Sequence, residues 1–442
     1  MQNTIRFFRS HFVLLALLAF SVPIRGQDTD SPTTSRIMDP QNGLTESELV
    51  ARALANNPSL IAERQATDSA KGAAAQARLR ANPSLSIGGL KEINGDDHRF
   101  SAGTEVPLEL FGRRARRTEV AEQKLGGTRE TVADRERLLA GEVRLRFAET
   151  LAAARNVEFV GQLLAVNREF LKLMEDRVHQ GAIPSLDGEE VRVEVNRIES
   201  LRIDYQAKAE IAMLALKEAA GMQPDETLKL RGDLEQPALS LDKPQLLQLA
   251  IGHRPDLAAQ RANEAMAAAT VRQQEAEAKP DASLSAGYER PNSGFSLSAF
   301  DAAGNLQPIR QTFNYAVFGM RWTLPLFNRN QGAIAAAKAD VTAARSMVTA
   351  VDLTLRHEVT QNLVRYEAAQ ERVAVYRKGV RDQAARNLDV VRQTYGYGRI
   401  PLLDVIAEQR RFIDIETGYT DVLLDAYASR VALERAVGTS LP

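Results

Sequence analysis

The chain has 442 residues, with 56 basic and 57 acidic side chains, so it lacks the basic excess of a general nucleic-acid binder. Hydrophobic residues make up 44% and aromatic ones only 6%, enough for folded structure but lean in bulky core formers. No cysteine is present, which excludes disulfides, thiolate metal sites and thiol catalysis.

Residues 1–26 carry the pattern of a secretory signal peptide. Arg6 and Arg9 precede an apolar run from Phe12 to Phe20, and small or polar residues follow. The run is shorter than the ~20 residues of a membrane helix. Cleavage after Ser21 or Gly26 fits equally well. No cysteine follows the run, so no lipid anchor is expected. No later stretch approaches ~18 apolar residues, so any entry into a membrane has to be as strands. Residues 27–43 are polar and read as a mobile or surface-laid tail.

From residue 44 the organisation is set by proline. None falls in 108–183, 185–223, 326–400 or 402–441. Proline is excluded from helix interiors, so each window is a candidate helix. A capping box, Thr45 with Glu48, opens the first helix. In the third window apolar positions recur from Ile334 through Val359 and Tyr376 to Tyr395 at a mean of roughly 3.6 residues. A helix of that length is roughly 95–100 Å long, too long for a compact domain and suited to an elongated bundle.

The chain also repeats itself. Asn57-Pro58-Ser59-Leu60 resembles Arg254-Pro255-Asp256-Leu257, an offset of 197 (57 to 254). The run from Gly181 to Asp187 resembles that from Gly398 to Asp404, an offset of 217 (181 to 398), and Gly221 and Gly438 keep it. The first repeat spans 44–221, with a hairpin at 84–107, a long helix at 112–180 and a returning helix at 185–221. A linker, 222–243, has a short strand expected near Leu228–Leu230. The second repeat spans 244–438, with a hairpin at 283–324, a long helix at 332–396 and a returning helix at 402–438.

Both hairpins alternate. Phe100, Ala102, Thr104 and Val106 oppose Arg99, Ser101, Gly103 and Glu105; Phe318, Met320, Trp322 and Leu324 oppose Gly319, Arg321 and Thr323. Residues 291–311, rich in Gly, Ser and Asn, read as a long loop. One apolar and one small or polar face is the requirement for a membrane barrel strand, and an ordinary half-buried hairpin has the same alternation. Four strands cannot close a barrel, and open edges in lipid leave backbone groups unpaired. If these are membrane strands, two or more chains share one barrel, and three would supply twelve strands.

Signal peptide, duplicated halves, paired hairpins and very long helices together resemble the TolC-like outer-membrane factors. The run from Leu324 to Gly332, Arg254-Pro255-Asp256-Leu257 and the ending Ala432 to Gly438 are similar to the cobalt–zinc–cadmium (CzcC-like) branch. The resemblance implies a mixed α+β membrane protein: a homotrimeric twelve-stranded outer-membrane β-barrel continued by a periplasmic α-helical coiled-coil barrel. It further implies a passive exit channel, docked to a periplasmic adaptor and an inner-membrane pump of the resistance–nodulation–division type. Divalent heavy-metal cations are the expected cargo, and organic compounds the alternative. A periplasmic coiled-coil scaffold or adaptor is the competing class, and it leaves the amphipathic hairpins unexplained.

No enzyme, cofactor or metal site is expected. His98, His179, His253 and His357 form no paired helical motif, and Tyr395-Gly396-Tyr397-Gly398 follows a helix rather than a strand. Asp187 and Asp404 sit in the first turn after Pro184 and Pro401, where an acid suits the helix N-terminus by itself. The resemblance places Asp404 in the constriction that closes the tunnel and matches Asp187 and Tyr395 to inter-helix links there; the family's basic gate partner is replaced by Ile400. The turns Gly181, Ala182, Ile183, Pro184 and Ser185, and Gly398, Arg399, Ile400 and Pro401, are the expected adaptor contacts.

Overall fold

A computed structural model describes residues 37–239 and 242–441, so the expected signal peptide and residues 27–36 of the expected tail lie outside the described residues. Thr45 caps α1 (Glu46–Asn56) with the expected box: its N–H donates to Glu48 Oε2 at 2.7 Å. Asn57 then ends α1 and caps α2 (Pro58–Arg78), its side chain accepting from Ser59 and Leu60 N–H at 3.0 and 3.2 Å. The single opening helix expected per repeat is therefore two helices. A residue before proline is kept out of the helical region, so Asn57 breaks the first pair and Arg254 the second. That second pair is α5 (Lys243–His253) and α6 (Pro255–Glu277).

The long helices follow their proline-free windows: α3 (Arg113–His179), α4 (Ser185–Ala219), α7 (Gln331–Val375), α8 (Arg381–Gly396) and α9 (Leu402–Val437). Between α7 and α8 lies one π-helical stretch, Tyr376–Val380, which the periodicity did not distinguish. Every position on the predicted stripe is buried or half-buried, and all fully buried residues of α7 and α8 belong to it. Towards the strands, α2 and α6 pack on α3, and α6 also packs on α7; at the other end α4 and α9 flank α3, and α9 packs on α7 and α8. Each level is thus four helices abreast. Their apolar stripes meet in a mid-level core around Phe147, Leu216, Leu230 and Tyr419, and in a lower core around Met174, Ile198 and Ile413. The expected linker strand is a pair of bridges: Leu230 lies between Met38 and Leu44, its N–H donating to Ile37 O at 2.8 Å.

The duplication is physical. A Cβ at Gly221 (φ +68°) would meet Asn57 Cα at 2.9 Å; one at Gly438 (φ +88°) would meet His253 C at 3.1 Å and Arg254 N at 3.2 Å. Each repeat closes its returning helix on the kink of its own opening pair.

The strands are β1 (Ser84–Lys91), β2 (His98–Pro107), β3 (Asp281–Phe300), β4 (Leu306–Thr312) and β5 (Tyr315–Thr323), all antiparallel. Both β4 and β5 pair with β3, so they are one strand interrupted at Phe313–Asn314, and four strands run side by side in the order of the helices that feed them. The expected loop 291–311 is corrected here. Most of it is strand, Asn292 facing Thr312 and Phe300 facing Leu306, with a tight turn between Asp301 and Asn305.

Candidate functional site

Register turns the alternation into two continuous faces, because residues directly opposite in an antiparallel pair point the same way. Ile87, Ala102, Tyr288 and Ala316 lie in one row, and Thr104, Ala286 and Phe318 in another, with Val106, Leu284 and Met320 beyond. Within one chain this apolar face covers nothing: Ile87 is 69% and Phe318 80% exposed. The other face is built of Ser, Gly and paired charges. Glu105 lies 3.7 Å from Arg321, and Arg99 lies 3.9 Å from Glu289. Gly103 faces Gly287, and a Cβ on Gly287 would meet Ala102 O at 3.0 Å. At 8 to 10 residues, β1, β2 and β5 suit a tilted crossing of a bilayer. The edges β1 and β5 have no neighbour on their outer sides among the described residues.

At the far end of the 67-residue α3, and of α7 and α8, lie the two tips, built alike. Gly181 (φ +70°) ends α3, with Gly181 N–H donating to Val178 O and Ala182 N–H to Arg177 O, both at 2.9 Å. Gly398 (φ +68°) ends α8, with Gly398 N–H to Tyr395 O at 2.8 Å and Arg399 N–H to Thr394 O at 3.2 Å. This is the Schellman closure, in which a left-handed residue lets the chain satisfy the last carbonyls of the helix. It also accounts for Gly398, the second glycine of Gly396-Tyr397-Gly398. Pro184 and Pro401 then start the returning helices, and the amides of Asp187 and Asp404 each donate to the proline carbonyl at 3.2 Å. Ile183 and Ile400 tuck back against the lower core, whereas Ala182, Pro184, Ser185, Arg399 and Pro401 are exposed.

Tyr395 and Asp187 are brought together and Asp404 is not. The Tyr395 hydroxyl points at Met174 Sδ, 3.9 Å away. Burial first, and then the Asp187 carboxylate, push the phenol above its usual range, with Arg177 opposing. No hydrogen bond joins Tyr395 to Asp187 among the described residues. Asp404 is exposed at the start of α9 with no side-chain partner among them.

A polar layer about two to four turns above the tips escaped the sequence reading. Gln409 Nε2 donates to Asn167 Oδ1 at 3.0 Å, and Arg392 donates to Gln409 Oε1 at 3.2 Å. Glu194, 2% exposed, accepts from Arg197 at 2.7 Å and from Arg410 at 2.9 Å. These bonds tie α8 and α9 to α3 and α4, one repeat to the other. Burial lowers the Arg392 guanidinium below its usual range, with Asp389 partly offsetting. A signal was available: Leu402, Val405, Gln409 and Ile413 follow one helical stripe, and a polar residue on such a stripe marks a buried hydrogen bond.

His98 is exposed at the start of β2, its Nδ1 3.2 Å from Asp96 O. His179 is exposed beside the first tip. No group of three His, Asp or Glu able to hold a metal occurs among the described residues, and no helix among them is long and apolar enough to cross a membrane.

The two repeats coincide with the two segments, 49–222 and 246–439, that match the outer membrane efflux protein family. The cobalt-zinc-cadmium resistance protein CzcC of Cupriavidus metallidurans is 25% identical over 397 residues, 89% of this chain and 90% of that one. Among solved structures, CusC shares 18% identity over 89% of this chain and 92% of that chain, with a TM-score of 0.72. The outer membrane protein VceC of Vibrio cholerae shares 21% over 90% and 97%, with a TM-score of 0.70. The fold, the two-faced sheet and the paired tips therefore have one account: the chain belongs to the outer membrane efflux protein family, as a subunit of a passive outer-membrane channel reaching into the periplasm rather than an enzyme.

Proposed function

We propose that three copies close the four-stranded sheets into a twelve-stranded barrel and the helices into a tunnel, the exit duct of a tripartite efflux system. An inner-membrane pump of the resistance–nodulation–division type supplies the energy and a periplasmic adaptor engages the tips, 181–185 and 398–401. The cargo is a divalent heavy-metal cation, and what carries that choice is the 25% identity to a cobalt-zinc-cadmium resistance protein along nearly the whole chain. A deletion strain plated on graded zinc, cobalt and cadmium is expected to lose tolerance that the restored gene returns. Loss of tolerance to organic compounds alone would move the cargo to that class.

Asp404 is the gate residue. It is exposed at the start of α9, and a threefold axis would gather three such carboxylates at the mouth, where like charges in a confined space hold cations. Tyr395 and Asp187 keep the neighbouring tip packed. In planar bilayers, Asp404→Ala is expected to weaken block by a trivalent cation added on the periplasmic side. Equal block in both proteins would leave Asp404 as an acid suited only to its helix start.

A further inference from the structure

The two strand-to-helix junctions repeat a short motif. Leu108-Glu109-Leu110-Phe111-Gly112-Arg113 follows β2 and Leu324-Pro325-Leu326-Phe327-Asn328-Arg329 follows β5, an offset of 216 (108 to 324). Both phenylalanines end up outside the fold: Phe111 is 55% and Phe327 94% exposed. Among the described residues the non-glycine residues with a positive φ are Glu109, Phe111 and Asn330, and all three lie in these junctions. A bulky residue in that region is strained, and such strain persists where the position serves a purpose. Phe111 (φ +56°) gains little for it inside the chain, only the Lys279 ammonium 5.8 Å from its ring centre.

Charge at this level is one-sided. Residues 79–83, 108–117, 277–281 and 324–330 carry seven basic side chains against three acidic ones. Two of the arginines are committed to the fold. Arg113 donates to the carbonyls of Glu277 and Lys279 at 3.1 and 2.6 Å, and Arg117 to those of Ala77 and Leu79 at 3.2 and 3.0 Å. Each thereby closes a helix that feeds a strand. The acids are engaged as well: Glu109 pairs with Arg117 at 2.6 Å, Asp281 accepts from Leu110 N–H at 3.0 Å, and Glu277 accepts from Gln273 at 2.8 Å. Arg80, Arg114 and Arg329 have no side-chain partner among the described residues, and Lys279 has only the ring of Phe111.

Position names the occupant. The apolar face of the sheet ends here: the chain's single tryptophan, Trp322, faces Ala282 in its last row, and Leu108 N–H donates to Ala282 O at 2.9 Å. The junctions follow at once, on the helical and hence periplasmic side. That is the border of the bilayer, where aromatic rings gather and long basic side chains reach towards phosphates. We propose that the two junctions form a collar that binds anionic phospholipid headgroups of the periplasmic leaflet. Phe111 and Phe327 rest among the first acyl carbons, and Arg80, Arg114, Lys279 and Arg329 hold the phosphates. The ring of Phe111 keeps the Lys279 ammonium at that border by cation–π attraction. A zwitterionic headgroup fits less well, because its ammonium meets a surplus of cations and acids that are already engaged.

The inference rests on the shared-barrel reading, and the test separates the two. The full chain, stripped of lipid in detergent, is mixed with phosphatidylglycerol or with phosphatidylethanolamine of the same acyl chains, and retained lipid is counted by native mass spectrometry. Trimers are expected to retain phosphatidylglycerol at least ~5-fold better, the factor that about one cation near a charged surface supplies. Millimolar inorganic phosphate is expected not to displace it. Arg114→Gln with Lys279→Gln, both away from the edge strands, should cut the preference, and adding Arg80→Gln and Arg329→Gln should abolish it, with phosphatidylethanolamine unchanged. Phe111→Ala should weaken both lipids alike. A wild-type trimer that retains the two lipids equally overturns the collar and leaves the channel standing, and that reading needs no variant. A preference that the double variant keeps in full, or that phosphate abolishes, does the same. A folded monomer that retains neither lipid overturns both.

Discussion

Tyr427 shows how a single buried hydroxyl binds the mid-level of the molecule and how it can be probed. Its OH donates to Glu46, while Arg144 pairs with both Glu46 and Glu434, so α1, α3 and α9 meet at one network. Burial first, then the Glu46 carboxylate, push this phenol far above the usual tyrosine range. In the unfolded chain it ionises near ~10, so below that pH the hydroxyl is neutral in both states and its stabilisation is intact. Above it the unfolded state loses a proton that the folded state keeps, and stability falls by up to ~1.4 kcal/mol per pH unit. Tyr427→Phe is expected to cost ~1–2 kcal/mol at pH 8, through the lost bond to a charged acceptor, and to escape the alkaline loss. Melting curves at pH 8 and pH 11 test this, and a gap between the two proteins that does not narrow would sink it. At this scale the sequence was half legible. Acids at helix starts and glycines at helix ends announce themselves by local rules. A buried pairing such as Glu194 with Arg410 depends on which helices become neighbours, and no local rule states that.

Four of the helix-ending glycines share a positive φ, yet their surroundings divide them. At Gly181 and Gly398 an added Cβ meets nothing within 4 Å. At Gly221 and Gly438 it meets backbone at 2.9 to 3.1 Å, and backbone cannot yield as a side-chain tip can. Gly181→Ala and Gly398→Ala are therefore expected to cost only the conformational ~1–2 kcal/mol of a left-handed residue. Gly221→Ala and Gly438→Ala should cost more, and in thermal unfolding they should melt clearly below the tip variants. Equal melting of all four would mean the kinked opening pairs shift freely. The elements themselves were read unevenly. Helices 113–179 and 402–437 were clear because proline is absent from them, and the stretch from 331 to 396 because a sustained apolar stripe marks it as well. The far half of β3 and its partner β4 were missed although Phe295, Leu297 and Ala299 alternate with Ser296 and Ser298, because the Gly, Ser and Asn content of 291–311 was read as turn chemistry. This stretch is held by backbone pairing to β4 and by the Asp97 carboxylate, which accepts from Gly294 N–H at 2.9 Å.

For the whole molecule the decisive contrast is between the two faces of one sheet, which become lipid and water once the barrel closes. Phe318 stands on the apolar face in register with Ala286, 80% exposed in the single chain. Ser101 stands on the other face, directly opposite Glu289 and beside the Arg99–Glu289 pair. An arginine on the lipid face near the bilayer midplane costs ~2–4 kcal/mol, and three copies would incur it three times in one barrel. The same arginine at 101 would face water and find a carboxylate across the strand pair. Phe318→Arg is therefore expected to lose most of the heat-modifiable trimer from the outer-membrane fraction, while Ser101→Arg assembles normally and changes the conductance or ion preference of the open pore. Circular dichroism of the material that fails to assemble keeps the comparison fair, because the helices pack without the sheet's help and should remain formed. If both variants assemble alike, the apolar face does not meet lipid, and the sheet is the ordinary half-buried hairpin pair whose alternation it shares. Should both fail, the face lined by Ser101, Gly103 and Gly287 is too tightly packed to be a water-filled lumen.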